Sequence, residues 1–185
     1  MSEQVADCRV FKVREDFCER DSDGAQHSFF VIECPDWVNV IALTKQNDVV
    51  LIEQYRQGTE EIILEIPGGM IDADEEPEAA ARRESLEEAG VAPDRVEHIG
   101  RYMLMQGGCD ELMHLYCGRA RLPEQAAAAT HGLVHEGEDI RLLIMPAEDA
   151  FAMLDRNVIQ NATCALTLFW LRQNHARLRT EWILE

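Results

Sequence analysis

Three carboxylates, at positions 84, 87 and 88, carry the spacing in this 185-residue chain that most suggests chemistry. Glu84, Glu87 and Glu88 stand at i, i+3 and i+4, so on a helix they share one face. Like charges placed so closely repel by a few tenths of a kcal/mol, about 0.2–0.5 per exposed pair, so a cation is expected beside them. A hard divalent ion answers that need. Mg²⁺ prefers carboxylate oxygens and water and commonly links one or two carboxylates to substrate phosphates. Bound there it neutralises a diphosphate, polarises the phosphorus and lowers the pKa of a bound water. Gly68-Gly69 lets the backbone approach closely, so the Gly68 carbonyl can complete the coordination shell. On spacing alone the rival reading is a solvated acidic helix face, the commoner fate of glutamate runs. At 100° per residue, Ala79, Leu86 and Ala89 fall on the other side, where they are expected to pack on the core.

The elements that must position these groups can be read from periodicity and punctuation. Strands are expected over 8–18, 28–34, 37–44, 48–55 and 61–66, the last ending at Pro67-Gly68-Gly69. A helix is expected over 77–89, because Pro77 suits a first helical turn and Gly90 suits an exit. Further strands are expected over 96–105, 111–120 and 140–145, then a short helix over 146–154. A last helix is expected over 162–178 with an apolar stripe through Leu166, Phe169, Trp170 and Leu171. The order predicts an α+β fold built on a mixed sheet. Residues 121–139 read as a long loop in which 125–130 is a candidate helical turn. A loop of that length in a compact domain signals a wrong assignment or a function.

Composition narrows the function classes. Hydrophobic residues make up 46% and charged residues 28%, ordinary for a globular protein. Thirty-five acidic residues against 17 basic ones give a net charge of −18, and no basic stretch is available to neutralise a nucleic-acid backbone. A small phosphorylated ligand remains compatible if metal ions or a few arginines supply local positive charge. No apolar run approaches the roughly 20 residues that span a bilayer. The opening Met-Ser-Glu-Gln-Val-Ala-Asp lacks a basic-then-apolar leader, so a cytoplasmic location is expected. Cys8, Cys18, Cys34, Cys109, Cys117 and Cys164 show no C-x-x-C pair and read as free thiols, several packed as small hydrophobes, rather than metal ligands.

The full spacing decides between the two readings of the acidic helix. Gly69, five residues, Glu75, seven residues, Arg83-Glu84, two residues, Glu87-Glu88, one residue and Gly90-Val91 together resemble the Nudix box, G-x5-E-x7-R-E-U-x-E-E-x-G-U. Chance would produce its seven fixed letters in roughly one such chain per 10⁵ or more. One position departs: Ser85 stands where a bulky aliphatic is usual. The segment 51–56, then Leu64-Glu65-Ile66-Pro67-Gly68-Gly69, the loop 131–140 and the tail 157–182 resemble the ADP-ribose and nucleoside-diphosphate-sugar pyrophosphatase branch of that family.

The resemblance implies a Nudix fold, a mixed β-sheet sandwiched between helices with an N-terminal antiparallel strand extension over 1–36 and the Nudix domain over 37–185. It implies Mg²⁺, with Mn²⁺ as a substitute, held by Glu84, Glu88, Glu138 and the Gly68 carbonyl, with Glu87 in the catalytic set. Glu75 and Arg83 would brace the loop and helix. Glu136 is the implied general base and Glu138 the metal support, with the two roles exchangeable. Simple loop solvation is the bland alternative for both. Arg56 is the implied phosphate or ribose contact, against a surface salt bridge. Met70 and Glu111 are implied to line the substrate pocket. Trp37 could stack on a base, although a strand tryptophan is more often core. Gly107-Gly108-Cys109-Asp110-Glu111 replaces the branch's usual S-P-G-G-T-S-E, and the N-terminal strands lack its paired arginines, which leaves sugar and base open. The expected reaction is hydrolysis of ADP-ribose to AMP and ribose 5-phosphate. Alternatives are a pyrophosphatase for UDP-glucose or GDP-mannose, or a non-catalytic nucleotide-sugar-binding module. A homodimer exchanging N-terminal strands is implied as well, with no nucleic-acid or membrane partner.

Overall fold

Alternation along a single strand explains the layering of the computed structural model, which describes residues 2–8, 10–122, 130–133 and 137–183. Strand β4 (Trp37–Thr44) is buried along nearly its whole length. Its Val38, Val40 and Ala42 face helix α1 (Pro77–Ala89) through Ala80, Ala81 and Ala89. Its Ile41 and Leu43 face the opposite way and pack on α2 (Ala147–Asp155) and α3 (Ala162–Leu178) through Phe151, Leu154, Leu168 and Leu171. A strand covered on both faces needs apolar residues on both parities, which Val-Asn-Val-Ile-Ala-Leu largely supplies.

Around β4 lie β5 (Asp48–Arg56), β6 (Glu61–Glu65), β7 (Gly68–Met70), β8 (Arg95–Tyr102), β9 (Met113–Ala120), β10 (Thr130–His131) and β11 (Ile140–Pro146). The sheet order is β10-β11-β5-β4-β9-β8, with β6 on β5 and β7 on β4. β4 and β9 pair in parallel and the other neighbours antiparallel. This is the expected α+β fold, a mixed sheet between helices. The segments β1 (Ser2–Asp7), β2 (Lys12–Glu19) and β3 (Gln26–Glu33) form a separate antiparallel three-stranded sheet. No helix among the described residues is long and apolar enough to cross a membrane.

Several expectations are corrected. The strand expected over 8–18 begins at Lys12, and Ser2–Asp7 forms a strand of its own by pairing with β2. The long loop is interrupted by β10, paired to β11, while 123–129 and 134–136, including most of the candidate helical turn and Glu136, lie outside the described residues. On α3 the buried stripe runs through Cys164, Leu168, Leu171 and Leu178, and Phe169 is exposed. Leu168-Phe169-Trp170-Leu171 is apolar on every side, so only packing selects the face. A five-residue π-helical turn, Arg179–Ile183, follows α3.

The orientation of α1 is the most consequential correction. Leu86 is 53% exposed, and Ala79 is exposed too. Ala89 is buried as expected, but the rest of the buried face is Ala80, Ala81, Glu84, Ser85 and Glu88. Ser85, wholly buried, donates its hydroxyl to the Val91 carbonyl at 2.7 Å. That bond satisfies an acceptor just past the helix end, where Gly90 adopts φ 64° and its N–H returns to Leu86 O.

Candidate active site

The acidic residues of α1 face the sheet because small residues flank them. Ala80, Ala81 and Ala89 let α1 lie close to β4, which draws Glu84 and Glu88 to 9% and 2% exposure. β7 brings Gly68 and Gly69 against that face by pairing with Val38 and Asn39 of β4. The fit is tight: a methyl group on Gly69 would collide with the Glu84 carboxylate, and one on Gly68 with the Asn39 side chain and Val38 carbonyl. The Gly68 N–H donates to Glu88 Oε2 at 2.7 Å.

Arg83 organises the opposite side. Its guanidinium donates to both oxygens of Glu75, at 3.0 and 2.8 Å, and to the Met70 carbonyl at 2.9 Å. It also reaches Glu84 Oε1 at 2.6 Å and Glu87 Oε2 at 3.1 Å. One planar fork thus locks the loop before α1 to two carboxylates of the helix. The Arg83 bonds hold the Glu75 carboxyl below its ordinary range.

These groups ring a cavity of about 150 Å³ that also takes in Trp37, Arg56, Asp72, Leu133 and Glu138. Glu138 accepts from the Leu133 N–H at 2.8 Å, and the Gly132 N–H reaches the Glu87 carbonyl at 3.2 Å, so the loop before β11 is fastened to α1. A second, more apolar cavity of about 560 Å³ shares Trp37, Arg56 and Gly68 with the first and extends to Leu104, Met113 and Asn161. Arg56, at the junction, makes a bidentate pair with buried Glu65 at 2.7 and 2.9 Å.

The electrostatics follow from burial. Desolvation pushes the Glu84 carboxyl up to about 7, with Arg83 opposing it and Glu87 and Glu138 adding to it. Desolvation pushes Glu88 up to about 8, opposed by the Gly68 N–H and reinforced by Glu84 and Glu138. Buried carboxylates whose desolvation outweighs the nearby arginines are a donor set that suits a hard divalent ion, whose charge offsets the cost of their ionisation.

Of the residues singled out from sequence, Trp37, Arg56, Gly68, Met70, Glu84, Glu87, Glu88 and Glu138 meet around the small cavity. Glu111 lines neither cavity and lies beside Cys34 and Cys109. Glu136 falls outside the described residues. Sequence reasoning gave no role to Glu65, although a carboxylate ending the strand Glu-Ile-Ile-Leu-Glu, just before Pro67-Gly68-Gly69, is a visible signal. Asn39, the polar residue within β4 that lines the wider cavity, is another.

Fold and site together define a mixed-sheet protein with a carboxylate-lined cavity on one helix, suited to a divalent ion and a phosphate ester or anhydride. Residues 35–165 match the NUDIX domain model, and the chain belongs to the Nudix family. It is similar to the ADP-ribose pyrophosphatase of Escherichia coli (strain K12), at 35% identity over 142 residues, 74% of this chain and 67% of that protein. It is also similar to a GDP-mannose pyrophosphatase of Cronobacter sakazakii, at 29% identity over 171 residues, 89% of this chain and 85% of that one. A crystal structure of an ADP compounds hydrolase covers 97% of this chain, and 94% of its own, with a TM-score of 0.79 at 22% identity, a likeness of fold.

Proposed function

We propose that this chain hydrolyses the diphosphate bond of ADP-ribose, yielding AMP and ribose 5-phosphate. The observation that carries the reading is the buried pair Glu84 and Glu88 facing a small acidic cavity that adjoins a wider apolar one. The first has the polarity for a metal-bound diphosphate, and the second has room for a ribose or base.

Glu84, Glu88, Glu138 and the Gly68 carbonyl would hold Mg²⁺, or Mn²⁺ in its place. Such an ion, when bound, neutralises the diphosphate and acidifies a coordinated water. Glu136, two residues before Glu138, takes a proton from the attacking water as its oxygen adds to one phosphorus and the bridging oxygen departs with the other. Arg83 keeps Glu84 and Glu87 aligned, and Arg56, held flat by Glu65, presents its guanidinium toward phosphate or ribose oxygens. Trp37 offers an aromatic surface at the junction of the cavities. Glu111 lines neither cavity, and its expected contact with the substrate is not carried into this reading. In this reading residues 1–36 form a dimerising extension to a domain over 37–185, and the reaction belongs to the cytoplasm.

A pyrophosphatase for another nucleoside diphosphate sugar is the second reading, favoured by the likeness to the GDP-mannose enzyme. A panel of ADP-ribose, GDP-mannose and UDP-glucose with Mg²⁺, read as phosphate released by a coupled phosphatase, separates them. Fastest turnover of ADP-ribose is expected. Preference for a hexose substrate selects the second reading, and binding of a panel member without turnover selects a non-catalytic module.

A further inference from the structure

Outside the lining of the acidic cavity, Cys34, Cys109 and Glu111 converge although the two cysteines stand 75 positions apart in sequence. Their two Sγ atoms and a Glu111 carboxylate oxygen all lie within 4.8 Å of one another. The convergence is enforced by backbone. Ile32 and Cys109 form a parallel bridge, the Ile32 N–H donates to the Gly108 carbonyl at 2.8 Å, and the Asp110 N–H donates to the Ile32 carbonyl at 3.1 Å. The Cys34 N–H donates to Asp110 Oδ1 at 3.1 Å, and Trp37 N–H reaches the Leu112 carbonyl at 2.9 Å. The loop before β9 is therefore zipped onto the chain leaving β3, with both thiols on the seam.

We infer that Cys34, Cys109 and Glu111 form a zinc-class metal site, with a water as fourth ligand, that staples the N-terminal sheet to the rest of the chain. Thiolates select a borderline-soft ion such as Zn²⁺ over Mg²⁺, and two sulfurs with one carboxylate oxygen suit a tetrahedral centre. At metal–ligand distances of about 2.0–2.3 Å, tetrahedral partners sit roughly 3.5–3.8 Å apart, so side-chain rotations of about 1 Å close the trio on an ion. The surroundings are acidic: Glu33 and Asp110 share one cation, Arg14, at 2.8 and 2.9 Å. A cavity of about 490 Å³ lined by Val10, Glu33, Cys34 and Asp110 opens beside the trio and gives an ion and its water a way in. The carboxylate has no part in a disulfide, which is why the trio reads as a metal site. The sequence reads these cysteines as free thiols because the spacing of the ligands is set by tertiary pairing, not by a short motif. As each sulfur binds the ion, its proton passes to solvent.

Cobalt(II), added to the metal-free full-length chain, tests the site without reference to turnover. One equivalent should produce thiolate-to-cobalt charge-transfer absorption, which the carboxylates of the acidic cavity cannot give. That absorption should vanish in Cys34→Ser and Cys109→Ser, weaken in Glu111→Gln and persist in a Cys8→Ser/Cys18→Ser double variant. In the unaltered chain, one equivalent of Zn²⁺ should protect Cys34 and Cys109 from alkylation, read by peptide mass, while the exposed Cys8 and Cys18 still react. The inference is overturned if no charge-transfer band appears, if the band survives loss of Cys34, or if Zn²⁺ leaves alkylation of the pair unchanged. Isolation of Cys34 and Cys109 as a disulfide that binds cobalt only after reduction also overturns it.

Discussion

The backbone N–H of Gly68 donates to Glu88 Oε2 at 2.7 Å, tying the short strand before the box helix to a carboxylate on its buried face. Glu88 and its neighbour Glu84 are thereby held out of water where ionisation is costly. Glu84→Gln and Glu88→Gln should therefore separate function from stability. In EDTA at about pH 8 each variant is expected to melt no lower than the parent, because a neutral amide carries less desolvation cost than a carboxylate. Thermal unfolding checks this, and a large fall in melting temperature would show that the charges stabilise the metal-free fold.

The pH dependence of metal-free stability carries a definite sign. Both carboxyls titrate above their unfolded value of 4.5, at about 7 and about 8. Between those limits the folded chain holds more protons than the unfolded chain, so their contribution to stability is fully present below 4.5 and is lost as pH rises through 7 and 8. A divalent ion replaces those protons. Mg²⁺ should raise the melting temperature more at about pH 8 than at about pH 5.5, measured by calorimetry with and without chelator. An equal increment at both would contradict the burial argument.

Arg83 joins Glu75, Glu84, Glu87 and the Met70 carbonyl through one guanidinium. Lysine keeps the charge but not the fork. Arg83→Lys should lower kcat about tenfold to a hundredfold, as loss of an orienting partner of metal ligands typically does. It should also raise the Mg²⁺ concentration needed for half-maximal rate. Steady-state kinetics across a magnesium series would register both changes.

Ser85 is buried and its hydroxyl meets the Val91 carbonyl at 2.7 Å. Ser85→Ala strips that acceptor of its side-chain donor, with an expected loss of about 1–3 kcal/mol. The denaturant midpoint should fall with an unchanged m-value, while turnover at saturating Mg²⁺ stays near that of the parent.

Cross-strand register puts Phe17 and Phe30 on one face of the N-terminal sheet, at 41% and 59% exposure. If that sheet dimerises, sedimentation should report twice the 21.0 kDa chain mass, and Phe30→Glu should shift the population to monomer. A monomeric parent would remove the dimer from the proposal.

Sequence alone rendered β4 and α1 to the residue, since one is an apolar run broken only by Asn39 before its closing Thr44 and the other is bracketed by Pro77 and Gly90. It overlooked β1, whose Ser-Glu-Gln-Val-Ala-Asp has no apolar alternation and is a strand only because β2 pairs with it. β7 was hidden for the same reason, because three residues beginning Gly-Gly take their conformation from β4. The spacing of Glu84, Glu87 and Glu88 was legible, but their burial was not, because charged residues are ordinarily assigned to the solvent side. The telling pattern is Ala80, Ala81, Ser85 and Ala89, small residues that share the turns of the two glutamates and let the helix sink onto the sheet.

The most direct measurement is the rate of AMP release from ADP-ribose at about pH 8 with saturating Mg²⁺, for the parent, Glu84→Gln and Glu88→Gln. The expected result is magnesium-dependent turnover by the parent, abolished by EDTA, and a fall of at least about 10²-fold in each variant, the scale of losing charge stabilisation in a transition state. Turnover in Glu88→Gln within a few-fold of the parent, or a parent rate indifferent to chelation, would contradict a role for these carboxylates in holding the metal.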